Sequence, residues 1–169
     1  TFPLKIADKW GVRLLGAGAD TTTLKVVSGV RANLFAISNA VGDSLIKGLC
    51  FSSGAPADNT FGGAGSVYYG QAAFMGCVFR GNNVATTGFA IASGGGLYCF
   101  ESLLELSDSV FSGNRAYSKY GAPNGGSGLG GALCLQRGRS RIGNVEMVGN
   151  IANKSQFENT ASRGGACAI

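Results

Sequence analysis

The chain has 169 residues, enough for one sizeable domain, with a net charge of +5, a pI near 9.1 and 14 % charged residues. It has no His and only 3 Pro, which excludes His-based nucleophile–base pairs, zinc sites of the usual Cys/His spacing and collagen-like repeats. Lys and Arg are scattered apart from "RGRSR" (137–141), read here as a solvated turn in preference to an anion site; no basic face interleaved with aromatics points to nucleic acid.

No 18-residue apolar run occurs, so no transmembrane helix is expected. "TFPLKIADKW" (1–10) lacks a signal peptide's apolar centre, and "GGACAI" (164–169) reads as the start of another strand. The chain is therefore expected to be a piece of something longer. Gly supplies 29 of 169 residues, more than twice the usual ~7 %. High Gly with alternating Val, Leu, Ile and Phe predicts many short strands joined by tight turns.

In chain order, 11–27 reads as strand, Gly-rich turn, strand: Val12 and Leu14 alternate with Arg13, and Leu24 and Val26 with Lys25. "GAGAD" (16–20) is not followed by Lys-Ser/Thr or by a helical pattern, so it fails as a phosphate loop. Three stretches align without gaps: "GAGSVYYGQAAFMGCVFRGN" (63–82), "GGLYCFESLLELSDSVFSGN" (95–114) and "GALCLQRGRSRIGNVEMVGN" (131–150). "SLIKGLCFSSG" (44–54) is a degenerate earlier copy of the same repeat, and a further copy begins at "GACAI" (165–169).

Apolar residues recur in columns: Leu97, Leu133 and Cys167; Val67, Cys99, Leu135 and Ile169; Phe74, Leu106 and Ile142; Phe79, Phe111 and Met147. Separations of two within a copy give one face of a strand. Columns repeated once per copy predict stacked coils that share a core. The connections at 83–94, 115–130 and 151–164 vary in length and are expected to loop out. A helical repeat is excluded, since no 3.6-residue apolar period appears. The expected architecture is one all-β domain over 1–169, a right-handed parallel β-helix of about five to six coils. Residues 1–54 form degenerate first coils and 63–169 the regular repeats.

Each copy closes on a short bracket. Phe79, Phe111 and Met147 are expected to fill successive rungs of the core. Gly81, Gly113 and Gly149 are expected to permit the positive φ of a corner. Asn82, Asn114 and Asn150 are expected to form an inward ladder whose amides bond backbone groups of the next coil's turn.

The pairing of "GGAL" (130–133), "GGAC" (164–167) and "GGGL" (94–97) with "FRGN" (79–82), "FSGN" (111–114) and "MVGN" (147–150) resembles the repeats of chlamydial polymorphic outer-membrane proteins. The stretch "LLGAGADTTTL … SLIKGLCFSSG" resembles the first coils of pectate-lyase-like right-handed β-helices. That resemblance implies a passenger-type, adhesin-like domain outside the cell or on its surface. "GGAI", the hallmark of the family, is never matched in full.

No column of the repeat holds two acids, so neither paired carboxylates nor an acidic metal cluster is expected. Glu101 and Glu105 are expected on one strand face, with Glu146 near them on the next coil, as solvated charges. The five Cys form no C-x-x-C pair and are expected as buried free thiols; one or two bridges are the alternative in an oxidising compartment. Tyr68, Tyr69, Tyr98, Phe100, Tyr117 and Tyr120 are read as core or edge packing, with an exposed contact stripe as the alternative. The sequence thus predicts a non-catalytic structural or interaction module with protein partners and no cofactor. An accessory subunit of a large assembly is one alternative; a polysaccharide-binding or polysaccharide-cleaving protein is the other.

Overall fold

The computed structural model describes residues 3–27, 30–56, 61–86, 91–118, 127–153 and 166–169. Every regular element among them is a strand, and every strand pairing is parallel. The first sheet stacks one strand per coil: β1 (Leu4–Ala7), β4 (Phe35–Ser38), β7 (Gly65–Tyr68), β12 (Leu97–Phe100), β16 (Leu133–Gln136) and β19 (Cys167–Ala168). A second face is formed by β2 (Arg13–Leu15), β5 (Leu45–Lys47) and β8 (Gln71–Met75), and a third by β3 (Thr23–Lys25), β6 (Cys50–Ser52) and β9 (Val78–Arg80). Two longer strands, β13 (Leu103–Ser112) and β17 (Arg139–Val148), run through both of these faces and join them into one sheet. Beyond the third face lie β10 (Asn83–Thr86), β14 (Arg115–Ser118) and β18 (Ile151–Asn153), then the pair β11 (Ala92–Ser93) and β15 (Gly128–Leu129).

This is a parallel β-solenoid of about four turns, slightly fewer than the five to six expected. The coils that start at β4, β7, β12 and β16 have a paired strand on both sides, whereas β1 and β19 stand at the two ends of the stack. The variable connections are described only in part. Residues 87–90, 119–126 (Tyr120 among them) and 154–165 lie outside the described residues.

Register explains the apolar columns. Phe35, Gly65, Leu97, Leu133 and Cys167 are successive partners in the first sheet. Leu14, Ile46, Phe74, Leu106 and Ile142 form the second-face column, and Leu24, Phe51, Phe79, Phe111 and Met147 the third. Each coil has too few inward side chains to bury them alone. Stacked, they make one core cluster that reaches from Ile6 to Leu135. Where Gly65 leaves a gap in its column, the Phe35 ring occupies it: a Cβ there would lie 2.6 Å from the ring atoms. Size is thus traded between neighbouring rungs to keep packing dense.

Corners stack as regularly as strands. Gly81, Gly113 and Gly149 have φ of 61°, 60° and 60°. Between the second and third faces, Gly48 and Gly76 give way to Asp108 and Asn144, both at φ 51°; the Asn144 Nδ2 donates to Asp108 Oδ1 at 2.7 Å. Asn and Asp tolerate this left-handed region better than other side chains, which lets β13 and β17 bend there without a break.

The recurrent Gly at the start of each copy has a different cause. A Cβ on Gly95 would drive into the carbonyl oxygen of Gly131 on the next coil, so the coils can approach there only without a side chain. Gly113 has open space around it, and only its φ resists substitution. Gly113→Ala is therefore expected to lower the unfolding free energy by only about 1–2 kcal/mol. Urea denaturation checks this; a loss above about 4 kcal/mol would mean that the corner is sterically closed.

Candidate interaction surface

The Phe and Asn side chains of the recurring bracket point into the solenoid, where the Asn amides act on its own backbone, while the corner glycines between them are exposed. Phe51, Phe79 and Phe111 are fully buried, with stacked rings 5.0 Å and 4.4 Å apart at interplanar angles of 23° and 6°. Met147 continues the column but is only partly buried. Asn82 and Asn114 are also fully buried. Asn114 Nδ2 donates to Phe79 O and to Asn150 Oδ1, both at 2.9 Å. Its Oδ1 accepts from the Asn82 backbone N–H at 3.1 Å and from Asn82 Nδ2 at 2.9 Å. Asn82 treats the coil before it in the same way, donating to Phe51 O at 3.0 Å and accepting from the Gly54 N–H at 2.9 Å.

The backbone bonds of each Asn side chain thus run to the preceding coil, not to the next coil's turn as the sequence suggested. On the preceding coil each amide meets a Phe carbonyl and the N–H three residues further on: Phe79 O and Asn82 N–H for Asn114, Phe51 O and Gly54 N–H for Asn82. An amide carries both a donor and an acceptor, so one Asn per coil satisfies both.

The surface with exposed chemistry is the corner that closes the first sheet. Asp8, Asn39, Tyr69, Glu101 and Arg137 follow the paired strand ends and have φ of 52°, 49°, 52°, 46° and 53°. Asp and Asn are ordinary in that region; Tyr, Glu and Arg are not. Each of the latter costs about 1–2 kcal/mol of local strain. Contacts between coils oppose it. Asn39 Nδ2 donates to Asp8 Oδ1 at 3.0 Å, and the Tyr69 and Phe100 rings meet edge to face at 5.6 Å. Arg137 lies 3.5 Å from Glu101 and its guanidinium 5.7 Å from the Phe100 ring centre. The ion pair is exposed, so its worth is at most about 1 kcal/mol.

Behind this ridge the aromatics become buried. Tyr98 is 2 % exposed although it alternates with the inward Leu97 and Cys99. The Phe61 ring lies tilted against it at 4.5 Å and Tyr68 5.6 Å away, and the Tyr98 hydroxyl donates to Gln136 Oε1 at 3.0 Å. Burial pushes the Tyr98 hydroxyl pKa well above its usual value, with Tyr68 adding to the effect; burial and then Tyr69 raise Tyr68 likewise. The aromatics therefore divide: Tyr98 packs, while Tyr69, at 56 % exposed, faces solvent. Tyr117 lies apart, against Arg115, whose guanidinium stands 4.6 Å from its ring centre.

"RGRSR" is also split. Arg137 and Gly138 make the corner, but Arg139–Arg141 begin β17, so the expected solvated turn is in its greater part strand. The backbone there must continue the β13 ladder, with Arg139 opposite Leu103 and Arg141 opposite Glu105. Arg141 pairs with Glu105 at 3.3 Å. The ridge borders an open groove of about 500 Å³ lined by Glu101, Leu103, Arg137, Arg139 and Arg141.

The acids do not converge. Glu101 sits in the corner and not on the strand of Glu105, and the bend at Asp108 and Asn144 puts Glu146 on the third face, opposite Val110. Among the described residues no group of three His, Cys, Asp or Glu could hold a metal. All five Cys are free thiols; Cys50, Cys77, Cys99 and Cys134 are buried. Burial raises the Cys134 pKa to about 11, which keeps it protonated and unreactive at neutral pH. Trp10 belongs to none of the sequence columns. It is 78 % exposed and lies against Gly42, where a Cβ would come within 3.1 Å of its ring.

No helix is long and apolar enough to cross a membrane among the described residues. Compared with family models, curated proteins and solved structures, the chain matches none.

Proposed function

We propose that this solenoid is a non-catalytic interaction module that binds a protein partner through the ridge Tyr69–Phe100–Glu101–Arg137. One observation carries the reading. Three side chains poorly suited to a left-handed backbone are held at one exposed corner, where Gly, Asn or Asp would fit without strain. Tyr, Phe and Arg are also the residue types that dominate contact energies at protein interfaces. The GGA and FxxN repeats resemble those of surface-exposed adhesins, which supports a scaffold role outside the cell. A rigid stack of coils would present the ridge in fixed geometry. Sugar binding is the second reading: ring faces beside Gln136 and Arg137 offer both stacking and polar contacts.

The test compares wild type with a Tyr69→Ser/Phe100→Ser double variant on arrays of cell-surface proteins and glycans. Protein ligands of the wild type should bind the variant at least tenfold more weakly per folded molecule, measured at a temperature where circular dichroism shows both proteins folded. Glycan ligands alone would favour the second reading. Unsaturated or reducing-end products from an acidic polysaccharide would overturn the non-catalytic reading, and equal binding by the variant would overturn the ridge.

A further inference from the structure

The outward side chains of the second face alternate with the buried Ile46, Phe74 and Leu106. Register sets them in two rows: Arg13, Leu45, Ala73 and Glu105, and beside them Leu15, Lys47, Met75 and Ser107. Within this face β5, β8 and β13 are each paired along both edges. A side chain that points out of a sheet stands clear of the neighbouring coils, whichever of them are present. Leu15 and Met75 are exposed, as are Trp10 and Val41 at the adjoining corner. The short Ala73 leaves a groove of about 250 Å³ among Leu45, Gln71, Met75 and Leu103. An apolar patch of this kind marks a contact surface.

Two opposite charges line the same groove. Coil 2 widens at the corner: Val41, Gly42 and Asp43 lie between Ala40 and Ser44, where the next coil has only Gln71 between Gly70 and Ala72. Gly42 has φ 79°, and its carbonyl accepts from the Ser44 N–H at 2.8 Å, which holds Asp43 in the tight turn between them. Extra residues in a strand re-aim a side chain. Here they bring Asp43 to the groove that Arg13 also lines. Among the described residues neither Arg13 nor Asp43 has an ion-pair partner, whereas Glu105 of the same groove is held by Arg141.

We infer that this face binds the same face of a second copy of the chain about a two-fold axis, with Arg13 of each copy on Asp43 of the other. Charge selects this occupant. A surface with equal and opposite unpaired charges is complementary to itself, and a two-fold contact makes each pair twice. A ligand of a single sign would cover one of the two charges without pairing it. The grid of the face fits as well. At about 3.4 Å per residue along the strands and about 4.8 Å between them, the axis that exchanges Arg13 and Asp43 passes between Leu45 and Ala73. Leu45 of one copy then meets the hollow beside Ala73 of the other. The face measures about 16 Å by 19 Å on the same grid. That is the low end of interface sizes, so the dimer is reversible. None of these residues belongs to the Tyr69 ridge, so this inference and the proposed function stand or fall separately.

Sedimentation equilibrium of the intact protein over a wide range of concentration tests the inference. A monomer–dimer equilibrium that weakens with added salt is expected. Arg13→Asp and Asp43→Arg should each weaken dimerisation at least about tenfold, because each sets two like-charge contacts in the interface. Both positions are exposed, so both variants keep the fold, which circular dichroism checks. The two single variants should associate when mixed. The double variant R13D/D43R should return to within about threefold of the wild-type dimer constant. A wild type that stays monomeric throughout would overturn the inference. So would a dimer that Arg13→Asp leaves unchanged, or single variants that stay apart when mixed, since a two-fold contact of these residues requires their charges to be exchangeable.

Discussion

Asn114→Ala should lower the unfolding free energy by about 4 kcal/mol and the melting temperature by roughly 8–16 °C. The substitution removes four hydrogen bonds, two donated and two accepted. It leaves the buried Phe79 carbonyl and the buried Asn82 N–H without partners, and each orphaned group costs about 1–3 kcal/mol. No water can readily replace the amide, because Asn114 and Asn82 are both 0 % exposed. Asn150→Ala is the internal control. Asn150 is half-buried and makes three side-chain hydrogen bonds where Asn114 makes four, so its loss should cost less. Differential scanning calorimetry distinguishes the two. A melting point for Asn114→Ala within 2 °C of wild type would show that the ladder does not contribute to stability. Binding per folded molecule should be unchanged, since the side chain has no access to the surface.

Phe79→Ala should cost about 3–5 kcal/mol. Phe79 is the centre of the aromatic column: Phe51 lies 5.0 Å away, Phe111 4.4 Å and Phe74 5.5 Å. Truncation would leave a cavity bounded by rings from the coils on either side. Those coils are tied by ladders of main-chain bonds and cannot collapse to fill it. Met147→Ala, in the same column but partly exposed, should cost no more than about 2 kcal/mol. Urea denaturation of the two variants tests the contrast; equal losses would mean that burial in this column does not set its energetics. In a stack of coils the damage should also be local, with hydrogen exchange raised most in β6, β9 and β13.

Much of this fold was legible because its physics is periodic. Phe79, Phe111 and Met147 could be aligned from sequence, and the structure makes them Cα partners in register. The same holds for Leu97 and Leu133, and for Phe51 in the degenerate earlier copy. A side chain that must sit on its counterpart one coil away leaves a column at a near-constant offset. The positive φ at Gly113 was legible too, since Gly is the residue that adopts it without strain.

The corner ridge was not legible, and the reason is equally physical. Tyr69, Glu101 and Arg137 share a column with Asp8 and Asn39 and a common φ near 50°, yet no residue type recurs among them. Side chains that point to solvent are free to differ from coil to coil, so the backbone repeats there while the sequence does not. Tyr98 was ambiguous for a related cause. Its place in the alternation predicts an outward side chain, and the structure covers that face with Phe61. Alternation reports which side of a sheet a residue occupies, not what lies over that side.

The sequence by itself therefore determined the strand period, the stacked columns, the Gly corners and the place of the Asn that closes each of the three regular copies, because each is imposed by contact with an equivalent residue one coil away. Only the tertiary structure decided the direction of the Asn bonds, the bend through Asp108 and Asn144, the breakup of "RGRSR" into corner and strand, and the strained ridge beside the open groove. These depend on which coil lies on which side and on how far each edge is covered, and neither quantity is written in a single repeat.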